Sequence, residues 1–443
     1  MLAYSPVDIA AGTVISDAEA VIPLAGRLFA PLFDFPSYFL TLPDPKAQLL
    51  SWLAWLSIAW IVFALLRMRA PFRKKILPIF RGLLVTAAIF ILFIIYCIFV
   101  PMPGYRMVSK NPDEIFLDLH SHTIYSHDGI ATPERSFRWH TNHGFGGWAI
   151  TEHDRIGPAA EIQRGIIKNH SLAAAAIPGQ EVNFKRVHLN ILGAREDIDA
   201  KRYENLKDLI EDAHRLGGAV IVPHYWAEKK SAFSMEDLAD AGADGFEIAG
   251  NASVPLTLEK QREIIALCRE KGAVPVSGTN WHGWRNFCTV WTGFIVPGWE
   301  KMDAGERERE VISALRNREK DRFRVIEYRR QAGTGRANHT FEPFTGSFFY
   351  FTSINSVQKL SWLFWIAATC LVLPRIKNKR PAAVLFWSAA CLLLLAKSIL
   401  ILNTWKTVAN VNEILPEAAK GLLAMALLTA LLALSSLRKA EKK

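Results

Sequence analysis

Histidine and carboxylate residues follow short apolar segments in the middle of this chain, and their types suit metal chemistry. The clearest case is the D-L-H-S-H run, Asp118–His122, which comes directly after one such segment. Residues two apart in an extended strand point the same way, so His120 and His122 can reach one metal ion. Alone, the pair is weak evidence, because surface and core histidines also occur at this spacing.

The same residue types recur after the later apolar segments. The candidates at these positions are Glu152, His153 and Asp154; Glu181; His224; and Asn280 with His282. Because the carboxyl ends of parallel strands converge on one face of a barrel, these side chains are expected around a common pocket. The recurrence predicts a polynuclear metal site.

The elements that position these residues have the pattern of an α/β domain. Brief apolar runs bounded by Gly, Pro or charged residues predict buried strands at Ile115–Leu119, Gly147–Thr151, Ala173–Ile177, Ala219–Val222, Gly245–Ala249 and Ala273–Ser277. Helices are predicted from Pro133, with Thr132 as N-cap, and over Tyr203–Leu216 and Leu256–Lys271. This alternation predicts a barrel-like domain.

Long apolar stretches flank this domain. Stretches able to cross a hydrocarbon core of roughly 30 Å lie at Leu49–Leu66, Leu83–Val100, Leu360–Leu373, Ala382–Leu402 and Leu422–Leu437. A further apolar patch at Val21–Leu42 is broken by prolines and charges, and is interpreted as an interfacial segment or a sixth span. The predicted organisation is a tail (1–47), two spans (48–102), the α/β domain (103–345), a linker (346–359) and three spans (360–443).

Basic residues indicate the orientation of these spans. Six Lys or Arg residues and no acidic residue occur between the first two spans, at residues 67–81. The segment after the third span and the C-terminal tail are also basic. Since short cytoplasmic loops are enriched in Lys and Arg, the prediction is a multi-pass inner (cytoplasmic) membrane protein with its α/β domain on the extracytoplasmic, periplasmic side.

Charge and cysteine content exclude some other functions. The net charge of +10 comes largely from clusters beside apolar runs, so nucleic-acid binding is not expected. No C-x-x-C pair occurs, so a cysteine zinc site is not expected either. Cys268 and Cys288 could pair in an oxidising compartment or stay as free thiols.

Taken together, the motifs resemble those of the PHP (polymerase and histidinol phosphatase) family. The matching segments are Asp118–Glu134, Ile150–Asp154, Gly179–Glu181, Pro223–His224 and Ser277–His282, in the order and spacing of the family. They lie between about Asp113 and Trp299, under half of the chain. The resemblance implies a distorted (β/α)7 barrel, here inserted between transmembrane helices, with up to three divalent metal ions (zinc, manganese or iron).

Position by position, the resemblance implies three metal positions. The first would be held by His120, His122, Glu181 and Asn280, the second by Glu181, His188 and His224, and the third by Asp128, His153 and His282. Asp128 is preferred over its neighbour His127 because it precedes Gly129, as in the family motif. His188 could instead be a core histidine. The implied catalytic residues are Asp128, His153, Glu181 and His282.

Other residues near the motifs have supporting roles in this interpretation. Glu247 is expected to orient a ligand. Arg155 and Arg285 could bind phosphate oxygens or be structural arginines. Trp281 and Trp284 could line the pocket or pack in the core.

The chemistry that this resemblance implies is hydrolysis of a phosphate ester by a metal-activated hydroxide. The expected partners are the bilayer and a phosphorylated small molecule, nucleotide or lipid-linked head group. Asn280 departs from the Asp that the family usually has, and an amide oxygen coordinates less strongly than a carboxylate. The alternative is therefore a catalytically silenced PHP-like sensor or assembly module. A transporter is disfavoured, because charged residues within spans usually mark ion pathways and the predicted spans hold few of them, Lys397 being the exception.

Overall fold

A computed structural model describes residues 5–39, 45–68, 71–228, 231–250, 254, 256–328, 339–376 and 379–438. The chain divides into two compact units. The first unit comprises Met1–Gly26 and Met102–Gly335, and the second comprises Arg27–Pro101 and Arg336–Lys443. Each unit is therefore assembled from two separate stretches of chain.

The strands all lie in the first unit. They are β1 (Val7–Asp8), β2 (Thr13–Val14), β3 (Ala18–Val21), β4 (Arg106–Ser109), β5 (Glu114–Asp118), β6 (Phe145–His153), β7 (Ala175–Phe184), β8 (Val187–Leu192), β9 (Ala219–Val222), β10 (Gly245–Gly250), β11 (Val274–Gly278), β12 (Val290–Ile295) and β13 (Phe323–Glu327). The helices are α1 (Leu24–Leu28), α2 (Asp34–Phe39), α3 (Pro45–Arg67), α4 (Phe72–Phe99), α5 (Pro133–His143), α6 (Ala159–Asn169), α7 (Leu206–Arg215), α8 (Met235–Asp240), α9 (Leu258–Lys271), α10 (Ala304–Arg316), α11 (Glu342–Ser353), α12 (Ser356–Val372), α13 (Lys379–Lys406) and α14 (Ile414–Arg438).

The main sheet has eleven strands in the order β11-β10-β9-β8-β7-β6-β5-β12-β13-β1-β2. Strands β5, β6 and β7 run parallel, as do β9, β10 and β11, whereas β8 is antiparallel to both of its neighbours. The domain is thus mixed α/β with a parallel-rich sheet, as predicted. Within the described ranges no backbone pairing joins the two ends of this sheet, so closure into a barrel is not confirmed.

All six predicted strands are present, with shifts of a few residues at their ends. The predicted helices are also present, and Thr132 caps α5 by accepting a hydrogen bond from the Arg135 N–H at 3.3 Å. Strand β8 was not predicted, because its V-H-L-N-I-L sequence alternates polar and apolar residues over only a short run. That strand carries His188 and crosses back beside β7.

The N-terminal segment is part of the first unit. Strand β1 pairs with β13, and β3 pairs with β4. Arg324 on β13 donates to Asp17 at 2.9 Å and to the buried Glu114 at 2.5 Å. Helices α3 and α4 thus leave and rejoin one folded domain. The segments before and after this helical pair must therefore lie on the same side of any membrane that it crosses.

The region Val21–Leu42 does not form a sixth span in its described part, which ends at residue 39. Its first residue, Val21, is the last residue of strand β3. The region then forms helix α1, of five residues, and helix α2, of six residues. Helices this short cannot cross a hydrocarbon core, which needs roughly 20 residues. The segment predicted as a linker, 346–359, lies mainly within α11 and the start of α12.

Among its described residues, the second unit has five helices that are long and apolar enough to cross a membrane, as predicted. They extend over Ala47–Arg67, Arg73–Phe99, Ser356–Arg375, Arg380–Lys406 and Ile414–Leu437. Aromatic side chains pack within this unit around Tyr350, whose ring centroid lies 5.1 Å from that of Phe35 and 5.2 Å from that of Tyr38. Several basic residues used for orientation, including Arg69, Lys377 and Lys439, lie outside the described residues.

Candidate metal centre

One buried carboxylate, Glu181, lies at the centre of the candidate site. Its Oε2 atom is 3.4 Å from His120 Nε2, 3.3 Å from His122 Nε2 and 3.2 Å from His153 Nδ1. Its Oε1 atom is 2.9 Å from His188 Nδ1 and 3.0 Å from His224 Nε2. Five imidazoles, on or directly after three strands and one turn, thus surround a side chain that is 2% exposed.

The sequence brings these groups together through strand direction. His120 and His122 follow β5, His153 ends β6, and Glu181 lies on β7, three parallel neighbours whose carboxyl ends share one edge. The backbone bends sharply at His224, where φ is +27° and ψ is 41°, and this bend turns its ring toward Glu181. His120, His122, Glu181 and His224 are all buried and are called the inner cluster below.

Asp128, His153 and His282 form a second group, called the outer cluster below. Asp128 Oδ1 is 3.4 Å from His153 Nε2, and its Oδ2 is 3.2 Å from His282 Nε2. The side chain of Asp128 is 41% exposed, so this cluster faces solvent. The His122 ring joins the two clusters, because it stacks on His153 at 4.5 Å and on His282 at 4.1 Å between centroids.

Glu247 on β10 supports the inner cluster through hydrogen bonds to two of its members. Its Oε1 accepts from His120 Nδ1 at 2.9 Å, and its Oε2 accepts from the His224 N–H at 2.9 Å. The first contact leaves His120 Nε2 directed at Glu181, which is the arrangement of a supporting carboxylate behind a metal-binding histidine. Gly278 is required beside it, since a Cβ there would lie 2.0 Å from Glu247 Oε1.

Ser126 and Glu152 support the loop that carries the outer cluster. Ser126 Oγ lies 3.0 Å from His122 Nδ1 and donates to Glu152 Oε2 at 2.5 Å. Glu152 is fully buried and also accepts from the Thr123 hydroxyl. Trp284 Nε1 donates to the Asp128 carbonyl at 3.2 Å. Hydrogen bonds at Thr123, Ser126 and the Asp128 carbonyl thus fix this loop.

Asp118 ties the ends of β5 and β11 together. It accepts hydrogen bonds from the Thr279 N–H at 2.9 Å, the Thr279 hydroxyl at 2.5 Å and the His120 N–H at 3.2 Å. Its Oδ2 atom is also 3.0 Å from His140 Nε2. All of these lone pairs are used within the protein, so Asp118 positions the backbone of the site.

The proton affinities of these groups depend on one another. Burial opposes ionisation of Glu181, yet the imidazoles around it hold its pKa well below the usual value. Burial opposes protonation of His120, but Glu181 and Glu247 raise its pKa to about 9. Burial prevails at His122 and lowers its pKa. Burial likewise opposes ionisation of Asp128, but His153 and His282 hold its pKa far below the usual value.

The donor atoms fit divalent metal ions. Four groups, His122–His153–His282, His120–Glu181–His224, His127–Asp128–His153 and His188–His224–Glu228, place their ligand atoms within 4.8 Å of one another. Several buried donor atoms have no hydrogen-bond partner among the described residues: His188 Nδ1, His224 Nδ1, Asp128 Oδ1 and Asn280 Oδ1. Unpartnered buried polar atoms are costly, and a bound cation or water in the space between them would remove that cost. Imidazole and carboxylate donors together suit zinc, iron or manganese.

The structure brings eight of the nine predicted metal residues into these groups: His120, His122, Asp128, His153, Glu181, His188, His224 and His282. Asn280, the ninth, contacts the site through its backbone. Its N–H donates to the His120 carbonyl at 2.8 Å, its carbonyl lies 2.9 Å from His282 Nδ1, and its φ is +46°. His127 lies beside Asp128 as expected but is exposed.

The other predicted residues take supporting positions. Glu247 contacts a ligand, as expected. Arg155 donates to the Tyr125 carbonyl at 3.3 Å, and Trp281 is buried against Trp139, with ring centroids 4.6 Å apart. The carboxylate missed from the sequence is Glu228. Its spacing of four residues after His224 is a signal, but only the turn between them brings the two side chains together.

Comparisons with known proteins add the following similarities. No protein-family model and no curated protein matches the chain. Among solved structures, it is similar to a two-domain protein from Bacteroides vulgatus containing a predicted PHP-like metal-dependent phosphoesterase, with 18% identity and a TM-score of 0.37. That match covers 49% of this chain and 65% of the other, less than two thirds of its length.

Two further solved structures match the chain with similarly low identity and TM-score. An amidohydrolase from Chromobacterium violaceum and a protein from Bifidobacterium adolescentis described as a metal-dependent phosphoesterase each match with 16% identity and a TM-score of 0.31. Each match covers 38% of this chain and 87% of the other.

Proposed function

We propose that the chain is a membrane-anchored, metal-dependent phosphoesterase. The observation that carries this proposal is the position of Glu181, one buried carboxylate touched by five imidazoles and flanked by the Asp128 cluster. A carboxylate shared in this way is suited to bridge metal ions. A structural role alone does not require so many unpaired donor atoms in one place.

The protein groups have defined roles in such a reaction. Bound divalent ions would supply charge neutralisation for phosphoryl oxygens and would lower the pKa of water. His120, His122, Glu181, His188 and His224 would hold ions in the buried part, and Asp128, His153 and His282 would hold one at the solvent side. Asn280 Oδ1 would add a neutral donor. Glu247 would fix the tautomer and orientation of His120.

The substrate class belongs to the proposal. We expect a phosphorylated small molecule, a nucleotide or a lipid-linked head group, with zinc, manganese or iron as cofactor. The open, partly exposed outer cluster gives a phosphate ester access to the site. We also propose that the main sheet of the first unit closes into a barrel.

The location of the domain is proposed from charge and topology. The basic segment between α3 and α4 favours a cytoplasmic loop, so the first unit would lie on the extracytoplasmic, periplasmic side of the inner membrane. Pairing of β1 with β13 keeps the N-terminal segment on that side. A reporter that is active only in the cytoplasm, fused at the N-terminus, should be inactive; activity there would contradict this orientation.

The phosphoesterase proposal is tested on the full chain in detergent. The isolated residues 103–345 are unsuitable, because they lack β1, β2 and β3. The purified protein should contain two or three metal equivalents and hydrolyse p-nitrophenyl phosphate, bis-p-nitrophenyl phosphate, nucleotides or phospholipid head groups. The double variant His120→Ala, His122→Ala should lose both properties, whereas the exposed His170→Ala should keep them. Metal-loaded protein that hydrolyses no ester would contradict the proposal.

A second candidate is a silenced sensor or assembly module, and Asn280 favours it. Its amide cannot supply the charge that a carboxylate would bring to the metal. Under this hypothesis, wild-type protein is inactive and Asn280→Asp gains activity by a large factor. Under the first hypothesis, the wild type is already active and the gain is small.

A further inference from the structure

Glu228 lies beside the site, and none of the motifs that carry the family resemblance includes it. It follows the short turn Tyr225–Ala227, and its N–H donates to the Tyr225 carbonyl at 3.1 Å. Its side chain is 16% exposed. The turn directs its carboxylate back toward His224, the residue from which the turn begins.

The spacing of the donor atoms is that of a coordination shell. Glu228 Oε1 lies 3.6 Å from His224 Nδ1 and 3.7 Å from His188 Nδ1. Both distances are too long for a hydrogen bond. Two donors that each lie about 2.1 Å from a shared tetrahedral ion are about 3.4 Å apart. Glu228, His188 and His224 therefore match the spacing around one divalent ion.

The surroundings of His224 give a second indication. Its Nε2 atom is 3.0 Å from Glu181 Oε1, so Nδ1 is the ring nitrogen that faces Glu228. His224 is 6% exposed, and Nδ1 has no hydrogen-bond partner in the described part of the chain. A buried ring nitrogen and a carboxylate oxygen that lie 3.6 Å apart without a hydrogen bond leave a position between them that suits a cation.

The charge of the site also favours a third carboxylate among the candidate ligands, in addition to the supporting Glu247. Six imidazoles converge on two carboxylates, Glu181 and Asp128, in the clusters described above. Neutral imidazoles bring no charge to offset that of divalent ions. Glu228 adds one negative charge beside His188 and His224.

The geometry points to Glu228 as a direct ligand of a divalent metal ion, together with Nδ1 of His188 and Nδ1 of His224. This inference rests on the proposed metal site and not on the reaction. It assigns the second metal position a carboxylate that the sequence motifs do not supply. It also predicts that this position binds its ion more tightly than two histidines and Glu181 alone would.

The first test is the metal affinity of Glu228→Gln in the full chain. Zinc or manganese titration by calorimetry and elemental analysis should show one equivalent weakened by about tenfold or more, with the others unchanged. Glu236→Gln, an exposed carboxylate on α8, is the matched control and should bind as wild type. Identical affinities for every equivalent in Glu228→Gln and wild type would overturn the inference.

The second test separates a ligand from a residue that only positions His224. Glu228→Cys loaded with Co²⁺ should show a thiolate-to-cobalt absorption band that wild type and Glu236→Cys lack. The buried Cys268 and Cys288 are present in all three proteins and cancel in the comparison. A full complement of cobalt without this band would show that position 228 does not coordinate.

The outcomes also separate this inference from the proposed function. If the wild type binds no metal, the proposed metal site fails and the inference fails with it. If the wild type binds metal and Glu228 variants bind it equally well, only the inference fails. A spectroscopic band at position 228 in a protein that hydrolyses no ester would support the inference and contradict the reaction.

Discussion

The inner and outer clusters use the same residue types but differ in how they are held. In the inner cluster every residue is buried, and Glu247 supports two of its members from behind. In the outer cluster Asp128 is 41% exposed and His282 14% exposed, and their support comes from a loop. For the proposed metal site, this difference predicts that ions are held more tightly at the inner cluster and exchange more readily at the outer cluster.

The largest effect is expected where the two clusters meet, at Glu181. Glu181→Gln should remove metal from both, since this carboxylate touches His120, His122 and His153 through one oxygen and His188 and His224 through the other. The loss of affinity should exceed the roughly 100-fold that follows loss of a supporting partner. Elemental analysis after dialysis measures it. Retention of the outer equivalent alone would show that the clusters are independent.

Asp128→Asn should affect the outer cluster only. It removes the carboxylate that contacts both His153 and His282, so the most weakly bound equivalent should lose about 100-fold in affinity. The inner equivalents should be unchanged in a competitive chelator titration. Equal weakening of all equivalents would contradict the division into two clusters.

Glu247→Gln tests the support of the inner cluster. The amide can no longer accept from both His120 and His224 in the same way, so the inner equivalents should weaken by about tenfold. The outer equivalent serves as the internal control. Unchanged inner affinity would mean that the strand backbone alone orients His120.

The stability of the metal-free chain should depend on pH, and this effect should be smaller than the effects of the substitutions above. The folded-state pKa of His120 is raised to about 9, above its unfolded value of about 6.5. The resulting stabilisation is fully present below pH 6.5 and is lost as the pH rises through about 9. Thermal unfolding of chelator-treated protein, followed by near-ultraviolet circular dichroism, should therefore occur at lower temperature toward pH 9. Added zinc should abolish this trend, and a flat profile without metal would contradict it.

His127→Ala should have the smallest effect. Its exposed ring lies beside Asp128 and His153, but the contact of Asp128 with His282 does not depend on it. Metal affinity and hydrolysis should change by less than about threefold, within the spread expected of surface substitutions. A loss as large as that of Asp128→Asn would make His127 the ligand instead.

Most of the inner cluster could be predicted from the sequence, because strand polarity and the residue that follows each apolar run are local features. His120, His122, Glu181 and His224 all come directly from this pattern. Glu228 could not be predicted in the same way. Its approach to His224 depends on a turn whose first residue has a positive φ, which the sequence P-H-Y-W-A-E does not specify.

The fold was less predictable where pairing is distant in sequence. Strands β1 and β2 have two residues each, too few for a periodic signal. The partner of β1 in the main sheet, β13, is more than three hundred residues away. The Asp17–Arg324 pair likewise joins positions that no local pattern connects. The predicted domain boundary at residue 103 therefore omitted a segment that the folded domain includes.

The pairing of β1 with β13 has a consequence for release of the domain by proteolysis. In the sequence, the helical pair α3–α4 lies between two segments that both belong to the folded domain. A protease that cuts between β13 and α11 would separate the domain from α12, α13 and α14 but not from α3 and α4. Release from α3 and α4 would require a second cut, between α4 and β4, and that cut would break the covalent link to β1, β2 and β3, which complete the sheets of the domain.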